Sequence, residues 1–340
     1  MDQQSVLLLG ATGQTGNSIL NGLLEYGKYA VSALVRPSSA ESPKVKSVAE
    51  RNVKIVVADI NGSIEELIGV VRGYDIVISA IDAVSMGQQI NLATAAKEAG
   101  VKRFVPCAFI TVCPPGDVMF MRDEKEVVYQ HIRKLFLPYT IIDVGAWHQV
   151  AFPTLPSGRV DYASFFRPNT AIHAGGDAPM ILTDLRDIGH FVARIIDDKR
   201  TLNQYVYTCS DVLSENEIFS MIEEMSSEKI ERTYVSAKEI KASINRVKTA
   251  TEADPSNTSI SLSLVPLQYN LNKSVRGDNE PGYAKYLGYL EARELYPDFK
   301  PRRFREFLDE LLQGKAAPVY ADHALIEQLQ RGMKEMGVVF

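Results

Sequence analysis

Three glycines spaced three apart constrain this chain more than any other feature. Ser5-Val6-Leu7-Leu8-Leu9 runs into Gly10-Ala11-Thr12-Gly13-Gln14-Thr15-Gly16, and Ile19, Leu20, Leu23 and Leu24 then recur on one helical face. An apolar run, a glycine turn and an amphipathic helix read as a buried strand passing straight into a helix start. Such glycines let the backbone approach a ligand closely, and a helix N-terminus offers unpaired N–H groups to a pyrophosphate. The spacing G-x-x-G-x-x-G differs from the usual dinucleotide fingerprint G-x-G-x-x-G. Its place at the first strand–helix junction gives it weight.

Strand and helix patterns continue to alternate after this turn. Strands are expected over Tyr29–Val35, Val53–Asp59, Tyr74–Ile81, Val101–Phe109 and Pro138–Val144. Helices are expected over Ser63–Arg72, with Ser63 as N-cap, over Gln88–Ala99, stopped by Gly100, and over Asp123–Phe136. This rhythm predicts an α/β fold: a Rossmann-type doubly wound parallel sheet with right-handed crossovers. Ligands on such sheets sit at the carboxyl ends of the strands.

The second half changes character. Ala151 to Gly176 is rich in Pro, Gly, Ser and aromatic residues and reads as loops covering a site. A helix is expected to open at Leu182-Thr183-Asp184-Leu185, followed by a strand at Gln204–Thr208. Further helices are expected at Ser214–Met225, with a Ser214/Glu217 capping box, and at Ser236–Val247, Arg302–Leu312 and Ala321–Met336. Lys248 to Ser263 reads as an exposed polar loop. The expected organisation is a dinucleotide-binding domain over residues 1–150, completed by later segments, and a smaller α/β substrate lobe over 151–340.

Composition excludes several function classes. The net charge of -5 over 340 residues gives no reason to expect nucleic acid or an anionic membrane as partner. No apolar run reaches the ~18 residues of a membrane span, and no basic segment precedes the first apolar run, so no signal peptide is expected. Cys107, Cys113 and Cys209 are too scattered for a disulfide framework or a zinc site. His131, His148, His173, His190 and His323 lack metal-ligand spacing, and no metal is expected. A cytoplasmic, small-molecule enzyme is the reading that remains.

Individual positions sharpen it. Arg36 ends the second strand, where an acidic residue would bind the ribose hydroxyl of NAD and an arginine accommodates the 2′-phosphate of NADP. Lys44 lies a few residues on. Asp59, ending the third strand, either accepts from adenine or caps the next turn. Lys125 lies in line with Val128, Ile132 and Leu135, so it faces inward with the apolar stripe of its helix. A lysine facing inward near a cofactor cleft can act as general acid or base, but periodicity alone favours a snorkelling side chain at the helix N-terminal end.

Several stretches together resemble one family, the isoflavone reductase-like and NmrA-like group of atypical short-chain reductases. They are Gly10 to Gly16, Asp75-Ile76-Val77-Ile78-Ser79-Ala80-Ile81, Glu98-Ala99-Gly100-Val101-Lys102-Arg103-Phe104-Val105-Pro106, Lys125 thirteen residues before Pro138-Tyr139-Thr140, Val275-Arg276-Gly277-Asp278 and Leu295-Tyr296-Pro297-Asp298. The resemblance implies NADPH as cofactor, a catalytic role for Lys125 and reduction of a small secondary metabolite. With the strand-end rule it puts forward Gly10, Thr12, Gly13, Gln14, Thr15, Gly16, Arg36, Lys44, Asp59, Ser79, Ala80, Cys107, Ala108, Phe109, Lys125 and Gly145 as cofactor contacts. Phe109, Met121, Trp147 and His148 are the expected substrate contacts. Where the family's reductases read P-S-E-F-G, this chain reads Pro106-Cys107-Ala108-Phe109-Ile110. That departure implies a reshaped pocket and argues against the plant phenylpropanoid substrates. The alternatives are a dinucleotide-binding redox sensor without turnover, and an isomerase or dehydratase on the same fold. A homodimer is compatible with each.

Overall fold

The structure, a computed structural model, describes residues 3–320 and 324–338. Its centre is a parallel sheet. The strands are β1 (Gln4–Leu9), β2 (Tyr29–Val35), β3 (Lys54–Val57), β4 (Ile76–Ser79) and β5 (Arg103–Val105), in the order β3-β2-β1-β4-β5. A parallel bridge from Phe104 to Tyr139 carries the sheet on to β6 (Thr140–Asp143). This order is the doubly wound one expected, with a switch point between β1 and β4. β1 is buried on both faces, Val6 and Leu8 packing on one side and Leu7 and Leu9 on the other, which is why it reads as a continuous apolar run.

Helices α1 (Gln14–Tyr26), α2 (Pro43–Ala49), α3 (Ile64–Val71), α4 (Gln89–Glu98) and α5 (Phe120–Lys134) connect the strands. The Ser63/Glu66 capping box starts α3, two donors being satisfied reciprocally. α5 begins a turn earlier than its sequence pattern suggests. Asp123, read as near its start, instead accepts from the backbone N–H groups of Gly116 and Asp117 and ties down the loop before it. β5 is far shorter than Val101–Phe109. The chain leaves the sheet after Val105, and Phe109 takes a left-handed φ of 47° while donating its N–H to Ile142.

Beyond β7 (Ala146–Trp147), β8 (Ala171–His173) and β9 (Met180–Thr183), helix α6 (Leu185–Asp197) returns to the sheet. Leu182 and Thr183, expected to open that helix, belong to β9, and Asp184 caps α6. β10 (Gln204–Tyr207) pairs parallel with β6, so late residues extend the early sheet. β11 (Asp211–Leu213) pairs with β9, α7 (Glu215–Ser226) follows, and β12 (Thr233–Val235) pairs with β8. α8 runs over Ala237–Ala253 and α9 over Thr258–Leu262, so much of the expected Lys248–Ser263 loop is helical. The chain continues through α10 (Leu264–Asn270), a π-helical turn at Leu271–Arg276, α11 (Pro281–Tyr286), β13 (Leu290–Glu291), α12 (Ala292–Leu295), α13 (Phe304–Leu312) and α14 (Ala324–Glu335). β13 pairs with β10.

α1 and α6 touch through their backbones. A Cβ on Gly22 would lie 2.1 Å from the Gly189 carbonyl carbon, and one on Gly189 would lie 1.8 Å from the Ser18 carbonyl oxygen. Ser18 Oγ donates to Leu185 O at 2.6 Å and accepts from Gly189 N at 3.0 Å. Gly22→Ala should therefore force the helices apart and lower stability by about 3 kcal/mol, the upper range for overpacking. Gly69→Ala in α3, where a Cβ would meet nothing within 4 Å, should leave stability unchanged or raise it by up to about 1 kcal/mol. Urea unfolding of both variants checks the contrast.

Candidate active site

A cleft of about 980 Å³ opens at the carboxyl ends of β1 to β6. Gly10, Thr12, Gly13, Gln14, Thr15, Arg36, Lys44, Asp59, Ala80, Cys107, Ala108, Phe109, Met121, Lys125, Gly145 and Trp147 all line it. Three expected contacts do not. Gly16 is buried under the turn, where a Cβ would lie 1.9 Å from Gly10 O, so it packs helix on strand. Ser79 is fully buried behind Ala80. His148 is fully buried too, its ring edge-on to Phe304 at 5.0 Å and its Nδ1 3.7 Å from Asp184, so the reading of it as a pocket wall is corrected. It follows Trp147 in sequence, but Trp147 ends β7 while His148 opens a 3-10 turn, so the two side chains leave the backbone in different directions. A second hollow of about 550 Å³, at Asp187, His190 and Phe299, holds none of the expected site residues.

The glycine turn is built for close approach. Gly10 has φ of 89°, and a Cβ there would lie 2.3 Å from Ala80 O. Gly13 is the N-cap of α1 with no side chain to cap it, so the first-turn N–H groups face the cleft without a helical partner. Its Cβ would meet only Gly10 O, at 3.4 Å. Gly13 thus leaves room on the cleft side rather than within the fold. This cradle fits a pyrophosphate.

At the end of β2, Arg36 Nε donates to Ser39 Oγ at 3.0 Å, and Ser39 and Lys44 line the same wall. Two cations and a hydroxyl converge there. Asp59 Oδ1 accepts from the backbone and side-chain amides of Asn61, so it caps its turn as well as lining the cleft.

Lys125 is 2 % exposed. Its Nζ donates to Cys107 O at 2.9 Å, with Met86 Sδ at 3.7 Å and Cys107 Sγ at 3.9 Å. An ammonium has three donors. One carbonyl and two weak sulfur acceptors leave it able to take a ligand oxygen. Gln89, fully buried, accepts from Cys107 N at 2.8 Å and donates to Met86 O at 3.1 Å, fixing both of the lysine's neighbours. One turn before Lys125, Arg122 donates to Asp143 at 2.9 Å inside the protein, and Tyr289 donates to the same oxygen at 2.6 Å.

Of the remaining wall, the sequence marks Trp147 and the loops from Ala151 to Gly176, while Glu215, Tyr269, Lys273 and Tyr320 carry no such mark. Trp147 stacks on Tyr320 at 5.9 Å, and Phe165, Phe166 and Tyr269 extend the aromatic surface. A polar group formed by His173, Glu215, Asn270 and Lys273 lines the same cleft. Glu215 accepts from His173 N at 2.6 Å, His173 Nδ1 at 3.1 Å, Lys273 Nζ at 3.1 Å and Ser274 Oγ at 3.1 Å. Burial raises a carboxylate's pKa, but here the Lys273 charge and the His173 bonds outweigh it and hold Glu215 down at about 2. Among the described residues no His, Cys, Asp and Glu cluster could hold a metal ion, and no helix is long and apolar enough to cross a membrane.

The depressed Glu215 predicts a pH effect. A carboxylate lowered on folding stabilises the protein above its ordinary pKa of about 4.5, and that contribution fades as pH falls towards 2. Wild type should lose roughly 3 kcal/mol more than Glu215→Gln between pH 6 and pH 2.5. Denaturant titrations across that range give the comparison.

Comparison with known proteins agrees with the geometry. The family model described as NmrA-like family matches residues 2–308. The chain is 41% identical over 317 residues to asnovolin J 5′,6′-dehydrogenase of Aspergillus novofumigatus, covering 92% of this chain and 97% of that one. It is 29% identical to a phenylcoumaran benzylic ether reductase of Pinus taeda, covering 90% and 98%. Among solved structures, AtPrR2 with NADP+ and (+)pinoresinol superposes with a TM-score of 0.73 at 25% identity, covering 92% of this chain and 99% of that one. The expected resemblance and fold class are thereby established: the chain belongs to the NmrA-like family, with isoflavone reductase-like enzymes among its relatives.

Proposed function

We propose that this protein moves a hydride between NADPH and a carbonyl, imine or activated double bond of a small aromatic or polyketide-like secondary metabolite, with Lys125 handling the proton. It is an NADPH-dependent oxidoreductase. The observation that carries this reading is Lys125: a buried lysine at the cleft wall, hydrogen-bonded to one carbonyl and no carboxylate. A structural lysine with that burial would be paired. A dinucleotide sensor has no use for a proton donor at that point.

The parts divide the work. The α1 N-terminus and the Gly13 turn would hold the pyrophosphate, while Arg36, Ser39 and Lys44 would hold the 2′-phosphate. NADPH, when bound, supplies the hydride. Met121, Trp147, Tyr269 and Tyr320 would enclose the substrate and exclude water. As negative charge grows on the substrate oxygen, Lys125 Nζ would donate its proton to that oxygen or stabilise it by charge. Cys107 O and Gln89 keep the lysine aimed during the reaction. The Aspergillus relative is a dehydrogenase by name and plant relatives such as the Pinus taeda protein are reductases by name, so both directions are expected on this architecture. In the oxidative direction Lys125 would accept the proton.

Lys125→Met keeps the stem and removes the charge. Turnover should fall by roughly 10²–10⁴, with the loss in kcat rather than KM, while melting temperature and NADPH affinity change little. An enone and ketone panel followed by NADPH absorbance measures this. Wild-type turnover in the variant would overturn the mechanism. A wild type that binds NADPH and oxidises none across the panel would favour the sensor.

Arg36→Ala should weaken NADPH roughly ten- to a hundredfold, the worth of a charge-assisted contact, and leave NADH nearly unchanged. Calorimetric titration of both nucleotides decides it. Equal losses would place Arg36 outside the phosphate site.

A further inference from the structure

The polar group of His173, Glu215, Asn270 and Lys273 has no task in hydride or proton transfer as derived above. Its residues come from four separate elements: His173 ends β8, Glu215 opens α7, Asn270 ends α10, and Lys273 lies in the π-helical turn. None of them belongs to the strand ends that form the cofactor cradle. Around them the cleft is apolar, with Met180, Phe219, Leu262, Val265 and Pro266. A few fixed polar groups in an apolar wall are what give a ligand site its orientation and specificity.

Glu215 is the hub. Its buried carboxylate gathers four donors, as described above, and the widened π turn brings Lys273 and Ser274 onto it together. Asn270 Nδ2 lies 2.9 Å from His173 Nε2. With His173 Nδ1 on the Glu215 carboxylate, the network assigns the neutral ring: Nδ1–H donates to Glu215, and Nε2 accepts from Asn270. The charge count is then one carboxylate against one ammonium. Lys273 spends one bond on Glu215 and has a side chain 20 % exposed on the cleft, so two of its protons are left for a ligand.

We infer that Lys273, held by Glu215 and flanked by Asn270, is a specificity-determining subsite for an uncharged hydrogen-bond acceptor on the substrate, a ketone or ester oxygen remote from the reacting carbon. An anionic group is disfavoured there, because it would meet the Glu215 charge 3.1 Å behind the ammonium. The inference rests on the reading of this cleft as the substrate site. It deepens that reading from a small aromatic molecule to one carrying a second oxygen function at its far end.

The test uses 4-phenylbutan-2-one bearing a para methyl, methoxycarbonyl or carboxylate group, each directly attached or through one to three methylenes. Calorimetry on the full chain saturated with NADP+ gives the affinities. For the best linker, the ester should bind roughly tenfold tighter than the methyl compound, and the carboxylate should not exceed the ester. Lys273→Met should erase the ester's advantage, and Lys273→Arg should restore most of it. Glu215→Gln, which leaves the ammonium unbalanced, should move the preference towards the carboxylate. Circular dichroism and NADP+ affinity establish that each variant is folded. Where Glu215→Gln does not fold, the Lys273 pair decides alone. Equal binding of methyl and ester compounds in wild type, absence of measurable ester binding, or an ester advantage that survives Lys273→Met overturns the proposal. Loss of NADP+ binding or of Lys125-dependent turnover in wild type would instead sink the broader reading of the cleft.

Discussion

Arg122 and Asp143 form a charge pair closed off from water, and the site depends on it. Arg122 sits on α5 one turn before Lys125, and Asp143 ends β6. Burial works against the guanidinium's charge, but Asp143 and the surrounding tyrosine hydroxyls outweigh it, so it stays protonated. Such a pair adds little net stability, because desolvation of both ions offsets their attraction. What it fixes is geometry. A helix clamped at Arg122 cannot turn or slide, and residues three apart share a face, so Lys125 is fixed as well. Tyr289 brings the late part of the chain into the same lock.

The cleft is assembled on two principles. Its wall at the strand ends is mostly backbone: a glycine turn, uncapped N–H groups and the ends of the strands. The rest of the cleft is made of side chains from segments far apart in sequence: the aromatic residues Trp147, Phe165, Tyr269 and Tyr320, and the Glu215 group. Phe109 joins the two. Its left-handed backbone, a conformation that costs a bulky residue on the order of 1–3 kcal/mol, turns the chain out of the sheet beside Lys125's carbonyl partner.

The first wall was legible in the sequence; of the second, Trp147 and the loop-rich run from Ala151 to Gly176 were legible, and its later residues from Glu215 to Tyr320 were not. Strand, glycine turn and helix are local patterns, and so are the Ser63 and Ser214 caps. The inward aim of Lys125 followed from its spacing to Val128 and Ile132. By contrast, β7 is two residues long and β8 three, too short for any alternation to register. His173 carried no metal spacing and so no signal. Its partners Glu215 and Asn270 open α7 and end α10, 42 and 97 residues further on, and meet it only in the folded chain. Trp147 and His148 are adjacent in sequence, but the change from strand to 3-10 turn between them sends one to the cleft and the other into the core. The polar run after Lys248 misled for a different reason. α8 and α9 are surface helices with a narrow buried stripe, Ile244, Val247 and Ser259 among it, so most of their residues are polar.

The pairing of β6 with β10 also bears on how the chain is made. A ribosome releases residues 140–143 roughly sixty residues before their sheet partner at 204–207. At ordinary elongation speeds of about 5–20 residues per second, that edge waits for some 3–12 seconds with its ladder unpaired. α6, which covers one face of the sheet, arrives in the same interval. The nascent nucleotide-binding half is thus an open-edged intermediate during synthesis. Its unpaired edge and apolar flank are open to mispairing until the returning strand closes them.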